Sequence, residues 1–264
     1  MSAFSTRFGV CCSPSRDGSS PISASSCLIN SCIFLFYIWG ATQPASAQSP
    51  DALYADRANL ASARRAAELW SADLARDPRA FDAAWKLART DYWLGGHAPD
   101  REQRAFLENG IDAGRKAVAV EPRRPEGHFW IAANMGALAE SFGLRAGIKY
   151  RKPIKDELET VLYLDPLFQQ GSADRALGRW YFKVPGLFGG SHKLAEEHLR
   201  ESLKYNANST ASHFFLAEVM LDDGRKADAR AELQKVIDAP LDPDWTPEDH
   251  DFKQKARTLL VKLK

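Results

Sequence analysis

The stretch Asp174-x-x-Leu177-Gly178-x-x-Tyr181 decides the fold of this chain, together with the Ala195-x-x-x-Leu199 that follows it. Small residues such as Gly178 let two helix backbones approach closely, and large residues at helical spacing fill the space around them. Sustained alternation of polar and apolar residues, which would indicate β-strands, occurs nowhere in the chain. The stretch therefore predicts a pair of packed α-helices.

The same kind of unit recurs along the sequence. Asp77-Pro78, Glu121-Pro122 and Asp165-Pro166 follow one another at intervals of 44 residues. Proline lacks a backbone N–H and disfavours the helical state of the residue before it, so each pair ends one helix. The predicted helices before these pairs are Ala66–Ala75, Ile111–Val120 and Leu158–Leu164. Those after them are Ala80–Leu94, Pro125–Phe142 and Ser172–Lys183.

The last repeat gives the period. Leu216-Ala217-x-x-Met220 precedes Ala229-x-x-x-Leu233, and Leu199 lies 34 residues before Leu233. A period of 34 residues built from two helices is that of the tetratricopeptide repeat. We therefore predict an all-α, tetratricopeptide-like helical-repeat solenoid of four to five helix pairs over residues 48–264.

Three segments depart from that period. They are Gly95–Pro99, Gly143–Pro153 and Val184–Gly190, which stand at the same point of successive repeats. We expect them to be inserted loops that project from one rim of the solenoid. Exposed Leu187 and Phe188 between glycines would be costly unless they contact something, so both are predicted rim contacts.

The first 47 residues differ from the rest and hold all four cysteines of the chain. Arginines precede an apolar run of about 14 residues from Cys27 to Gly40, and Ala45-Ser46-Ala47 follows as a small-x-small cleavage pattern. This order predicts a cleaved signal peptide over residues 1–47 and a periplasmic or otherwise exported protein. An uncleaved membrane anchor is the less favoured alternative, because a spanning helix needs roughly 20 apolar residues. No cysteine stands at the cleavage point to carry a lipid.

The chemistry-bearing residues do not predict an enzyme or a cofactor. The formal net charge is +1, which gives no reason to expect a nucleic-acid partner. His192-x-x-x-Glu196-Glu197-His198 is the best metal candidate, but three ligands from one straight helix do not converge, so no metal site is predicted. Gly186–Gly190 lacks the lysine and hydroxyl of a phosphate loop.

The chain from about Ala61 to Leu260 resembles the TatT family of tetratricopeptide proteins associated with TRAP transporters. The resemblance rests on Trp130-x-x-x-Asn134-x-Gly136, on the segment from Lys155 to Pro166, and on the segment from Leu177 to Gly186. A fainter similarity, through Leu177–Trp180 and Thr246–Asp249, runs to the eukaryotic regulator of microtubule dynamics proteins. The TatT resemblance implies a bacterial envelope protein that partners the solute-binding component of a transporter, a small apolar or carboxylate ligand, and a homo-oligomer.

In tetratricopeptide folds the first helix of each pair lines the concave surface. Carried over by position, this gives a predicted groove of Trp93, Trp130, Asn134, Arg175, Arg179, Phe182, Phe214 and Glu218. Aromatic faces with a few polar groups suit a partly apolar ligand or a partner's helix. Two alternatives without a binding role stay open: the aromatic residues pack between repeats, and the arginines pair with carboxylates.

The C-terminal stretch predicts one last helix. Thr246-Pro247-Glu248-Asp249 is typical of an N-cap with an acidic first turn. Leu259, Leu260 and Leu263 then form an apolar face that caps the last repeat. The function favoured by the sequence is therefore an exported, non-enzymatic binding or scaffold protein, with a general tetratricopeptide protein-interaction adaptor as the alternative.

Overall fold

A computed structural model describes residues 48–263 of the chain. The predicted signal peptide, residues 1–47, lies outside the described residues. Within residues 48–263 the secondary structure is helical throughout, and none of those helices has the length and apolar character needed to cross a membrane.

The helices follow one another with short turns. They are α1 (Pro50–Ala55), α2 (Leu60–Arg76), α3 (Phe81–His97), α4 (Asp100–Val120), α5 (Pro125–Ser141), α6 (Leu144–Leu164), α7 (Ser172–Lys183), α8 (His192–Tyr205), α9 (Thr210–Asp222), α10 (Lys226–Asp238) and α11 (Thr246–Lys262), with one 3₁₀ turn at Gly186–Phe188.

The three acidic residue–proline pairs end helices as predicted. Helices α2, α4 and α6 stop one residue before Asp77, Glu121 and Asp165, and the backbone at each of these residues leaves the helical region. The side chains of Asp77 and Asp165 accept hydrogen bonds from backbone N–H groups two residues on, at 2.9 Å. Such bonds stabilise the turn that sends the chain into the next helix.

The predicted fold class is confirmed. Helices α3 and α4, α5 and α6, α7 and α8, and α9 and α10 pack as successive antiparallel pairs, with α1 and α2 before them and α11 after them. The first helices of the pairs also contact one another in order, α3 with α5, α5 with α7 and α7 with α9. This is the arrangement of a helical-repeat solenoid.

Gly178 shows why the deciding stretch forms a close helix pair. A Cβ atom added there would lie 2.6 Å from Leu199 Cγ and 3.1 Å from the carbonyl oxygen of Ala195. Leu177 and Leu199 are fully buried beside it. The glycine is therefore required by the approach of α8 to α7.

Two of the three predicted loops are helical, which corrects the sequence interpretation. Gly95 lies in the last turns of α3, where an added Cβ would meet Leu107 Cδ2 of α4 at 2.3 Å. The segment Gly143–Pro153 begins α6 and carries Pro153 inside the helix. Only Val184–Gly190 is a loop, built around the 3₁₀ turn.

Burial explains why α6 continues through its proline. Tyr150, Ile154 and Leu158 recur at helical spacing on both sides of Pro153, and all three are buried. Their burial offsets the roughly 3 kcal/mol that proline costs inside a helix. The extra residues of this repeat lengthen α6 instead of forming a loop.

Candidate ligand cavity

A large cavity lies on the concave side of the solenoid. Its volume is about 1100 Å³. Helices α5, α7 and α9 form one wall, and α6, α11 and the turns before α7, α9 and α11 supply the rest. Because the first helices of successive pairs contact one another, their exposed faces form one continuous surface.

Aromatic side chains dominate the cavity wall. The aromatic residues that line it are Tyr92, Phe129, Trp130, Trp180, Phe188, Phe214, Phe215, Trp245 and Phe252. Several contact one another: the ring centres of Tyr92 and Trp130 are 5.6 Å apart, and both Phe214 and Phe215 lie 5.5 Å from Phe252. The wall therefore offers a large apolar surface to whatever enters.

Arg179 is the paired cation of this wall. Its guanidinium donates to both carboxylate oxygens of Glu140, at 3.0 and 2.9 Å, and also to Glu218. It stands 4.6 Å from the centre of the Phe215 ring. These carboxylates hold the pKa of Arg179 above its usual value even though burial opposes the charge. Arg179 thus links α5, α7 and α9.

Arg175, one turn earlier on α7, has no such partner. No hydrogen bond or ion pair joins its guanidinium to any residue between 48 and 263. Burial lowers its pKa to about 10, so the side chain remains charged at neutral pH. The charge of Asp249 acts on it, but both oxygens of Asp249 accept other bonds, from Thr210 at 2.5 Å and from the backbone of Asp242 at 2.8 Å.

The register of the helices explains the difference between the two arginines. Glu140 precedes Arg179 by 39 residues and Glu218 follows it by 39. The same offset from Arg175 leads to Gly136 and Phe214, and both of these line the cavity with it. The positions that supply two carboxylates to Arg179 therefore supply none to Arg175.

Tyr92 is the phenol that shares this part of the cavity. It is 40% exposed, yet that surface faces the cavity, and burial among protein atoms raises the pKa of its hydroxyl. Tyr92 is therefore neutral at physiological pH and available as a hydrogen-bond donor. Together, Arg175 and Tyr92 place a cation and a hydrogen-bond donor in the cavity wall, and these two groups suit an anion.

The C-terminal helix returns to the N-terminal repeat. Arg57, between α1 and α2, is 3% exposed and forms a double ion pair with Glu248 of α11, 191 residues away. It also donates to the carbonyl oxygen of Asp244 at 2.8 Å, and His97 bonds Asp251 at 2.9 Å. These contacts bridge the two ends of the solenoid beside the cavity, which remains partly open.

These contacts add to the role predicted for α11. The helix packs on α9 and α10 as a cap, but it also supplies Glu248, Phe252 and Lys255 to the cavity. The predicted Thr246 N-cap is wrong. Thr246 is the first residue of α11, and its hydroxyl donates to the carbonyl oxygen of Asp242 at 2.8 Å instead of accepting a bond from the helix.

The structure brings together five of the eight predicted groove residues. Trp130, Arg175, Arg179, Phe214 and Glu218 all line the cavity. Of the two predicted rim contacts, Phe188 lines the edge of the cavity, whereas the neighbouring Leu187 is 89% exposed and is not part of the lining.

The other three lie in helix contacts. Asn134 is fully buried and donates to the carbonyl oxygens of Ala88 at 3.0 Å and Trp130 at 2.7 Å, which ties α5 to α3. Trp93 stacks on His97 and donates its indole N–H to the carbonyl oxygen of Arg57 at 2.7 Å. Phe182 packs against the core and tilts over His192.

The residues of the His192 cluster turn to different neighbours. His192 bonds Asp223 at 2.6 Å, and His198 bonds Asp174 at 2.7 Å. Glu196 pairs with Arg200 and Arg225. Each member therefore has a partner on another turn or helix, which gives these residues a structural role.

Sequence reasoning missed several cavity residues. Tyr92 and Phe215 stand next to predicted positions, and the 39-residue offset would have identified Glu140 as the partner of Arg179. No local pattern indicates the pairing of Arg57 with Glu248, because those residues belong to opposite ends of the chain.

Fold and cavity together define a helical-repeat protein with a mainly apolar cavity on its concave side. The chain belongs to the family of regulator of microtubule dynamics protein 1-3, whose sequence profile matches residues 48–264. The second similarity noted from the sequence is thereby confirmed, and the resemblance to the TatT family stays a prediction. No curated protein matches the chain.

One solved structure supports the fold. A thermophilic TPR protein of Thermus thermophilus is 21% identical, with a TM-score of 0.60 over 80% of this chain and 97% of that one. A structure of MamA is 15% identical, with a TM-score of 0.45 over 76% of this chain and 95% of that one. At this level of identity the first similarity concerns the tetratricopeptide fold alone.

Proposed function

We propose that this protein is a non-enzymatic carrier that holds an elongated apolar molecule with a carboxylate end inside its central cavity. The observation that carries the proposal is Arg175, a charged side chain without a partner among residues 48–263, in the wall of a mainly apolar cavity of about 1100 Å³. An unpaired charge in such a place is costly, and a ligand carboxylate would offset that cost.

The dimensions favour a small molecule over a partner's helix. Ligand pockets generally measure about 300–1,000 Å³. An α-helix about 10 Å across rises 1.5 Å per residue, so this cavity would hold roughly nine residues of one. A longer helix would have to separate Arg57 from Glu248 to enter.

The competing function is a general tetratricopeptide adaptor that binds a protein segment on its concave surface. The continuous surface formed by α5, α7 and α9 favours it, because amphipathic helices bind in grooves of this kind. A protein partner would use Phe214 and Trp130 as apolar contacts, and it would require the contact of α11 with the N-terminal repeat to open.

Export and a transporter partner belong to the same proposal. The small-x-small site before residue 48 favours a mature chain that acts in the bacterial envelope. The resemblance of Leu177–Gly186 to the TatT family suggests that the ligand passes to or from the solute-binding component of a TRAP transporter. Co-purification of the chain with such a component tests this step, and recovery of only cell-wall or assembly factors would contradict it.

The ligand experiment compares an acid with its ester. Binding of the fluorescent fatty acid cis-parinaric acid and of its methyl ester is measured by fluorescence titration. Arg175→Met is expected to lower the affinity for the acid by about 10- to 100-fold, since a hydrogen bond to a charged group contributes about 1.5–3 kcal/mol. The affinity for the ester should change little.

Lys183→Met is the matched control, because Lys183 also lines the cavity but lies 3.8 Å from Glu218. It should leave both affinities close to those of the unchanged protein. Equal losses of affinity for the acid and the ester in the Arg175 variant would show that Arg175 does not bind the ligand carboxylate. Failure of the unchanged protein to bind either compound would refute the carrier.

A further inference from the structure

Large apolar side chains are exposed along the edge of the cavity formed by α6 and the 3₁₀ turn. We call these residues the rim patch: Leu144 (74% exposed), Ile148 (55%), Leu187 (89%) and Phe188 (43%). Exposed apolar side chains that lie together mark an interaction surface, whereas scattered ones need no explanation.

The members of the rim patch lie together in space. Leu144, Ile148 and Phe188 line the edge of the same cavity. Leu144, Ile148 and Arg151 recur at helical spacing on one face of α6, and the Arg151 guanidinium lies 5.0 Å from the centre of the Phe188 ring. The indole N–H of Trp180, on α7, donates to the carbonyl oxygen of Arg151 at 2.9 Å, which fixes α6 beside the turn.

Basic residues of α6 lie beside the patch. Arg151 lines the edge of the cavity, whereas Arg145 and Lys149 lie on the neighbouring face of the helix. Residues 144–155 contain five basic residues and no acidic one. Lys152 and Lys155 pair with Asp156 and Glu159 one turn on. Arg145, Lys149 and Arg151 have no carboxylate within 4 Å anywhere in residues 48–263, and Arg145 and Lys149 are exposed.

We propose that the rim patch docks this protein on an anionic phospholipid bilayer. Its apolar side chains would enter the boundary between headgroups and acyl chains while Arg145, Lys149 and Arg151 bind lipid phosphates. Exposed apolar side chains beside cations that have no carboxylate partner among residues 48–263 match the acyl chains and anionic headgroups of such a bilayer. The proposal rests in part on the carrier function, because the patch borders the cavity through which an apolar ligand would pass.

The test is flotation of the full chain with phosphatidylcholine vesicles that contain or lack phosphatidylglycerol. Every variant carries the same residues 1–47, so any contribution of that segment is common to all. Arg145→Gln with Lys149→Gln should lower partitioning to the anionic vesicles about 25-fold, at about fivefold for each charge. The control Lys116→Gln with Arg123→Gln removes the same charge from exposed positions away from the cavity and should have little effect.

A second pair of variants tests the apolar contact. Leu187→Ser with Phe188→Ser should lower partitioning at least tenfold, whereas Tyr163→Ser with Leu167→Ser, which removes equally exposed side chains elsewhere, should not. Equal binding of the unchanged protein to both kinds of vesicle overturns the proposal. So does a rim variant that keeps vesicle binding but loses self-association, which would assign the patch to a protein contact.

The two proposals can fail separately. The fatty-acid titration uses no vesicles, and the flotation uses no cavity ligand. Loss of vesicle binding in rim variants that still bind cis-parinaric acid supports docking independently of the cavity. If the unchanged protein binds the acid but does not float with anionic vesicles, the carrier function is retained and the docking proposal is refuted.

Discussion

The two faces of helix α7 differ in packing and in polarity. The face towards α8 carries Leu177 and Gly178, packed so closely that a single added carbon has no room. The face towards the cavity carries Arg175 and Arg179, which are half-buried and charged. The comparison teaches that one twelve-residue helix holds the fold together on one side and forms the binding surface on the other.

The largest expected effect comes from a substitution on the face of α7 that packs against α8. Gly178→Ala should lower the free energy of unfolding by about 2 kcal/mol, because its Cβ would overlap Leu199 Cγ and the backbone of Ala195. Gly136→Ala is the matched control: it adds a Cβ to open space in α5 and should raise stability by about 0.5–1 kcal/mol. Urea unfolding measures both, and equal stability of the two variants would mean that α7 and α8 are not closely packed.

A smaller effect separates the two arginines of the cavity face. Arg179→Met leaves Glu140 and Glu218 without their cation and should cost about 1.5 kcal/mol, because these carboxylates are partly exposed. Arg175→Met removes a charge that has no partner among the described residues, so the free energy of unfolding should change by less than about 0.5 kcal/mol or rise. Chemical denaturation tests the difference; a large loss in the Arg175 variant would reveal a structural partner.

The smallest expected effect is a pH dependence of stability, and it comes from His128 on α5. His128 donates to the Glu157 carboxylate at 2.5 Å and to the carbonyl oxygen of Pro122, and these two bonds raise the pKa of His128 above its usual value. A raised pKa means that the folded state holds the proton more tightly. The stability from this pair is therefore fully present below about pH 6.5 and is lost as the pH rises through the raised pKa.

His128→Gln and Glu157→Gln should each reduce this loss of stability with rising pH. We expect the loss in the unchanged protein to be under about 1 kcal/mol between pH 6 and pH 8. Thermal unfolding across that range measures it. An unchanged pH profile in both variants would contradict the assigned cause.

The comparison also shows how far the sequence alone can predict the site. Trp130, Phe214 and Arg179 were predicted because a repeat places the first helix of each pair on the concave side. Asn134 and Trp93 carry the same positional signal but lie between helices, where their polar atoms bond backbone carbonyls. Position within a repeat predicts the helix face only to within one turn, and side-chain packing decides the rest.

Local patterns in the sequence determined the helices and their pairing. The acidic residue–proline pairs end α2, α4 and α6 because proline disfavours the helical state before it. Gly178 and Ala195 set the close approach of α7 and α8, since small residues leave room for a neighbouring backbone. These effects act within one or two turns, so they can be read without knowing the rest of the chain.

Only the tertiary structure decided the cavity. Arg57 meets Glu248 across 191 residues, and that contact bridges α11 to the N-terminal repeat beside the cavity. Arg179 meets two carboxylates, and Arg175 meets none among residues 48–263, because the helices pack in a 39-residue register that differs from the 34- and 44-residue spacings in the sequence. The register of the helices and the contact of α11 with the N-terminal repeat depend on many contacts between distant residues. No short stretch of sequence determines them.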